Sequence, residues 1–269
     1  MDYVSETSLG ARLLAVIGLL TAAFLLLPLV ILAVQSFTAE SYLAFPPPEY
    51  SLRWYREVLT SQDWRAAAAT SLTIAAVTTP LAVILGTMTS LALDRGPMRG
   101  RRLMYALSIS PLTLPHLVLG LGLLQIALRL GIDDTYWSFV PAHLTITIPF
   151  VIISVGASLQ SFDWRLESAA QSLGASPLQA FLHITLPIIK PGIVGGAIFA
   201  FITSFDEFII TYFLAIYTKT LPIEIFSSLM FQVSPAIAAI SVLMLALSAF
   251  LLVILIARGQ VVGGGTVVK

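Results

Sequence analysis

The chain has 269 residues, 58% of them hydrophobic and 10% charged, against roughly 25% charged in an ordinary soluble domain. So few charges could not cover a water-soluble globule of this length, and the mean hydropathy of +0.94 points to a lipid-embedded chain. A formal net charge of zero argues against a nucleic-acid partner, and the absence of cysteine excludes disulfides, thiol catalysis and cysteine-based metal sites.

A spanning helix needs roughly 20 mostly apolar residues. The first such run is 11–34, interrupted by Thr21 and Pro28. It exceeds the roughly 7–15 apolar residues of a secretory signal, and no small-residue cleavage site follows promptly, so it is expected to stay as an anchor. Residues 37–65 are polar and aromatic, with Pro46, Pro47 and Pro48 barring helix before a short interfacial helix that carries Trp54 and Tyr55. Further spans are expected at 66–93, 103–130, 140–159, 191–214 and 235–257, ahead of a glycine-rich tail from Arg258 that is expected to fray. Trp54, Tyr55, Trp64, Tyr136 and Trp137 fall near span ends, where aromatic side chains anchor at headgroup level. The expectation is an all-α membrane protein, one transmembrane domain over 1–269 with six spans.

Orientation follows the distribution of Lys and Arg. With a cytoplasmic N-terminus, Arg12, Arg95, Arg99, Arg101, Arg102, Arg165, Lys190, Arg258 and Lys269 fall on the cytoplasmic side. Arg53, Arg56, Arg65, Arg129 and Lys219 fall on the other. The asymmetry concentrates in the short loop 95–102, and an even number of spans returns the C-terminus to the cytoplasm.

The longest polar stretch between spans is 160–190. Asp163 can cap a short helix that ends at Gly174, a position suited to positive φ, and Ser176-Pro177 is a cap followed by proline at the first helical position. Pro187 and Pro191 are expected to end this second helix and begin the next span. The loop thus reads as a helix–turn–helix outside the membrane. The small residues Ala169, Ala170, Gly174 and Ala175 suit either a docking platform or internal packing.

The run Ser168-Ala169-Ala170, three residues, Gly174, nine residues, Ile184-x-Leu186-Pro187 resembles the "EAA" loop of ABC-importer permeases. The resemblance implies a type I importer permease fold and a cytoplasmic coupling helix between the fourth and fifth spans. It also implies an ATPase-docking set of Glu167, Ser168, Ala169, Ala170, Gly174, Ala175, Ile184, Leu186 and Pro187. Ser168 departs from the pattern, which has glutamate there; Glu167 stands one residue earlier. Ser204-Phe205-Asp206-Glu207-Phe208, Thr220-Leu221-Pro222-Ile223 and Val233-Ser234-Pro235 resemble the spermidine/putrescine branch, in its second permease subunit. Related branches carry iron, thiamine, sulfate or opine-like compounds.

Asp206 and Glu207 lie in the fifth apolar segment, Asp206 roughly 22 Å from a helix start at Pro191. An acid deep in lipid costs about 2.5–3.5 kcal/mol to insert, so it ordinarily faces a bundle interior or a water-filled path. Phe205, Asp206, Glu207 and Tyr212 are therefore candidates for a substrate pathway or gate; the bland reading is a helix that ends near Phe205 with both acids solvated.

Other chemistry is not legible. His116, His143 and His183 lie in separate segments without metal-ligand spacing, and neither a phosphate-binding glycine loop nor a serine elbow is present. Gly120, Gly122, Gly192, Gly195 and Gly196 read as close helix packing. The expectation is a non-enzymatic subunit in a bacterial inner membrane, with no cofactor of its own and with ATP and Mg on a partner ATPase. The partners implied are a second permease (a heterodimer), an ATPase dimer, an extracytoplasmic binding protein and membrane lipid. Two rivals remain: an ion-coupled secondary transporter using Asp206 and Glu207, and a membrane-embedded enzyme.

Overall fold

The computed structural model describes residues 9–95, 99–231 and 233–263, with side chains described from 10 to 254 within that set. The side chains of the expected glycine-rich tail lie outside the described residues.

Every regular element among the described residues is helical. In chain order these are α1 (Leu9–Gln35), α2 (Arg53–Thr60), α3 (Gln62–Arg95), α4 (Arg101–Ile109) with a 3-10 turn (Ser110–Thr113), α5 (His116–Leu130) and α6 (Tyr136–Gln160). There follow α7 (Arg165–Ser172), α8 (Pro177–Ala180), a π turn (Phe181–Thr185), α9 (Leu186–Phe205), α10 (Ile209–Leu214), α11 (Leu221–Phe231) and α12 (Pro235–Gly263).

Among the described residues five helical stretches are long and apolar enough to cross a membrane: Gly10–Gln35, Gln62–Arg95, Tyr136–Gln160, Pro177–Phe205 and Pro235–Ile254. The expected third span, 103–130, is a pair of helices bent by 100°, and counting that pair as one gives six. Pro115 explains the bend. Proline disfavours helical geometry in the residue before it, and Leu114 is extended at φ −83° and ψ 139°. The expected break at Pro187 does not occur: α8, the π turn and α9 form one helix over Pro177–Phe205. A π turn directly precedes Pro187 and takes up the irregularity that a missing N–H imposes.

The described chain divides into two compact units, one of residues up to 61 with 227–246, the other of 62–226 with the end of the chain from 247. In the first unit α1 is apolar on all sides and exposed along most of its length, which suits lipid rather than a protein core. The segment after it is pinned by backbone and side-chain bonds. Thr38 and Tyr50 form an antiparallel bridge, Ala39 N–H donates to the Glu49 carbonyl at 2.9 Å, and the Ser36 and Tyr55 hydroxyls lie 2.7 Å apart. Trp54 is not a headgroup anchor: it is buried, its indole N–H donating to the Glu40 carbonyl at 3.1 Å.

In the second unit α3, α6 and α9 pack on one another, and α5 packs on α10. One core layer gathers Ile74, Phe139, Ile146, Ile210 and Leu214; another gathers Ala82, Val151, Val155, Leu159 and Ile189. Trp64 is buried here as well, whereas Trp137 is exposed. Small residues set the spacing. A Cβ on Gly192 would stand 2.3 Å from Ser158 Oγ and 2.7 Å from the Ser154 carbonyl, and one on Gly86 would stand 2.6 Å from Val151 Cβ. Ser154 Oγ donates to the Gly192 carbonyl at 2.8 Å and Ser90 Oγ to the Ile152 carbonyl at 3.1 Å, so hydroxyls stitch the same seams. Gly120 abuts Phe213 and Ile210 of α10, but Gly122 meets nothing within 4 Å.

At the start of α6, Asp134 accepts from the N–H groups of Tyr217 and Thr218 at 3.0 and 3.1 Å, while its own N–H donates to the Leu214 carbonyl. Partial burial pushes the Asp134 carboxyl up, but the Thr218 hydroxyl and the neighbouring N–H groups more than offset this, and its pKa lies below the ordinary value.

Gly192→Ala should lower the unfolding free energy of the detergent-solubilised chain by about 1–3 kcal/mol, the usual cost of overpacking. Gly156→Ala, in α6 but with nothing within 4 Å of its Cβ, should be neutral or slightly stabilising. Equal thermal stability of the two variants would refute the close α6–α9 approach.

Candidate functional site

The 160–190 loop folds as two helical pieces around a tight turn. α7 starts after Asp163, whose Oδ1 accepts from the Arg165 N–H at 3.0 Å. It ends in a Schellman motif: Ala175 N–H donates to the Ala170 carbonyl at 3.0 Å, Gly174 N–H to the Gln171 carbonyl at 3.0 Å, and Gly174 has φ +95°. No neighbour crowds Gly174, so its backbone conformation is what calls for glycine. Ser176 opens α8 with a capping box: its hydroxyl accepts from the Gln179 N–H at 3.3 Å, and Gln179 Oε1 accepts from the Ser176 N–H at 2.8 Å. The Ser176-Pro177 cap expected from the sequence is there.

Of the nine docking candidates, Ser168, Ala169, Gly174 and Pro187 are exposed, and Ala170, Ala175, Ile184 and Leu186 are half-buried. Leu173 beside them is 90% exposed and Leu178 65%, so the tip of the loop is an uncovered apolar knob. Glu167 is different. It is buried, and its Oε1 accepts from both Arg95 Nη2 and the Thr185 hydroxyl.

The pathway candidates meet where the fifth span breaks. α9 stops at Phe205, residues 206–208 leave the helix, and α10 resumes at Ile209. The two acids are therefore not successive positions on one helix. Asp206 is exposed, whereas Glu207 is buried and its Oε1 accepts from the Ile210 N–H at 2.8 Å, satisfying a free amide at the start of α10. Its Oε2 lies 3.5 Å from His116 Nδ1 at the head of α5. The two neighbouring acids thus differ in setting, one exposed and the other engaged by α10 and His116. Phe205 is buried and stacks on Phe201 at 5.8 Å. Tyr212, 48% exposed, meets Phe208 and Phe226 at 5.4 and 5.6 Å, and Phe208 meets Phe226 at 5.0 Å. One carboxylate and a group of rings thus stand at the broken end of α9.

His143 holds that break. It is fully buried on α6, with Nδ1 2.8 Å from Ser204 Oγ in the last turn of α9 and Nε2 2.8 Å from Thr211 Oγ1 in α10. A neutral imidazole offers one donor and one acceptor, so a single ring satisfies a hydroxyl on each side of the gap. A lone histidine in an apolar span was the available signal; its partners, 61 and 68 residues away, left none. Among the described residues no group of three His, Cys, Asp or Glu side chains could hold a metal ion.

A family model described as "Binding-protein-dependent transport system inner membrane component" matches residues 78–258. The chain is 31% identical over 257 residues to the spermidine/putrescine transport system permease protein PotC of Shigella flexneri, covering 94% of this chain and 97% of that one. It is 36% identical over 238 residues to the putrescine transport system permease protein PotI of Escherichia coli K12, covering 86% and 84%. Among solved structures, a chain of a bacterial alginate ABC transporter in complex with a pentasaccharide-bound periplasmic protein matches with a TM-score of 0.66 at 16% identity, over 96% of both chains, a likeness of fold. With its helical fold, its apolar spans and this loop between the fourth and fifth of them, the chain belongs to the family of inner-membrane permease components of binding-protein-dependent ABC importers.

Proposed function

We propose that this chain is one of two permease subunits of an ATP-driven importer, carrying a polyamine or a related amine from an extracytoplasmic binding protein into the cytoplasm by alternating access. The observation that carries this reading is mechanical. The exposed knob at Leu173–Gly174 leads through α8 into a helix that runs unbroken from Pro177 to Phe205. A partner gripping the knob would therefore move the far end of the fifth span, where Asp206 and the rings lie. ATP and Mg belong to that partner, an ATPase dimer seated on a cytoplasmic face, and both termini are cytoplasmic, in keeping with the basic loop 95–102.

The names of PotC and PotI support a polyamine as cargo, and so does the chemistry at the break. Asp206 is an exposed carboxylate two residues from Phe208, whose ring meets Tyr212, and a carboxylate with aromatic rings suits an ammonium group through charge and cation–π attraction. Glu207 is occupied by α10 and His116 and serves the shape of the break, so of the two acids Asp206 is the one assigned to the pathway. Such a two-state bundle needs a ligand that binds its two states unequally, which nucleotide on the ATPases would supply.

Leu173→Asp, at a position that packs on nothing, should leave the chain folded and abolish retention of the ATPase subunits in a pull-down; undiminished retention would overturn the docking role. Asp206→Asn should leave the complex assembled and cut spermidine or putrescine uptake into proteoliposomes roughly ten- to hundredfold, the worth of a hydrogen bond to a charged group. Full uptake by that variant would remove Asp206 from the pathway.

A further inference from the structure

We propose that Asp94 and Arg95, the last two residues of α3, are positioning residues that fasten the docking loop to the second span, so that the stroke of an ATPase enters α3 directly. This rests on the importer reading above and adds a route that the chain's connectivity does not provide. The loop is covalently joined to α6 before it and, through α8 and the π turn, to α9 after it. No covalent path of comparable length leads to α3.

Two hydrogen bonds among the described residues join the end of α3 to the loop, and they run in opposite senses. Arg95 of α3 donates to Glu167 of the loop, while Trp164 of the loop donates through Nε1 to Asp94 Oδ2 of α3 at 2.7 Å. Each partner thus offers one donor and one acceptor, and sliding or lifting the loop would break both bonds. The Arg95 guanidinium also lies 4.8 Å from the Trp164 ring centre and 5.7 Å from that of Phe181 in the π turn.

The Glu167 carboxylate extends the attachment. The same oxygen that takes Arg95 takes the Thr185 hydroxyl, so one atom gathers the end of α3, the first turn of α7 and the π turn before α9. On the other side, Asp94 Oδ1 accepts from Arg101 Nη2, the first residue of α4, at 3.1 Å. Turned inward and engaged twice, Glu167 is held away from an ATPase. The exposed position next to it, where the family pattern has glutamate, is Ser168. The acid at 167 therefore acts within the chain, and docking falls to the exposed knob.

The test uses the assembled transporter in proteoliposomes. Spin labels on cysteines introduced at Ala92 and Gln171, both exposed in this cysteine-free chain, report the distance between α3 and the loop. In the otherwise unaltered chain the distance should be the same in nucleotide-free and ATP-trapped states. In Glu167→Ala and in Arg95→Ala it should differ between the states, and ATP hydrolysed per polyamine moved should rise several-fold with ATPase retention intact. Arg95→Ala is the gentler change, since it removes a side chain that is 41% exposed and leaves the Glu167–Thr185 bond in place. A state-dependent distance in the unaltered chain would overturn the proposal, as would normal coupling in both variants. Loss of ATPase retention in Glu167→Ala with normal coupling in Arg95→Ala would instead make Glu167 a docking group. Failure of the unaltered chain to retain any ATPase would sink the importer reading itself, a separate result.

Discussion

The second unit depends on three helices coming closer than ordinary side chains permit. In lipid the hydrophobic effect does little to bring helices together, because the surrounding tails are as apolar as leucine; dispersion at close range and bonds between helices must do it. Gly86 on α3 and Gly192 and Gly196 on α9 give α6 that range, with the Val151 side chain between the two glycine faces. The hydroxyls of Ser90 and Ser154 then reach carbonyls of neighbouring helices. The 160–190 loop lies at one end of this seam and the broken helix at the other.

Much of the fold was legible because lipid leaves the chain few choices. A run of apolar residues without charges must satisfy its own backbone, so helices and their approximate bounds follow from composition. The 160–190 loop was legible for a different reason: caps are local. Ser176-Pro177, Gly174 and Asp163 act on amides and carbonyls within a few residues, so their roles survive translation from sequence to geometry.

What the sequence did not disclose is long-range or depends on context. Proline stops a helix at Pro115 but not at Pro187 or Pro191, because a π turn and surrounding helices can absorb the missing bond. Trp54 and Trp64 look like interfacial anchors by position, yet both are buried in their own units. Asp206 and Glu207 are adjacent, which suggested a shared task. The backbone leaves the helix just before them and gives one to the surface and the other to an amide. His143 showed no metal-ligand spacing, and its partners Ser204 and Thr211 arrive from far along the chain.

The unbroken rod from Pro177 to Phe205 has a consequence for how far things move. The close approach at Gly192 lies near its middle: roughly 22 Å of helix separates it from Pro177 and roughly 20 Å from Phe205. A rod tilting about that point has nearly equal arms. A displacement of the Pro177 end would appear at the aromatic end at about the same size and in the opposite direction, so such a tilt is reversed without being amplified.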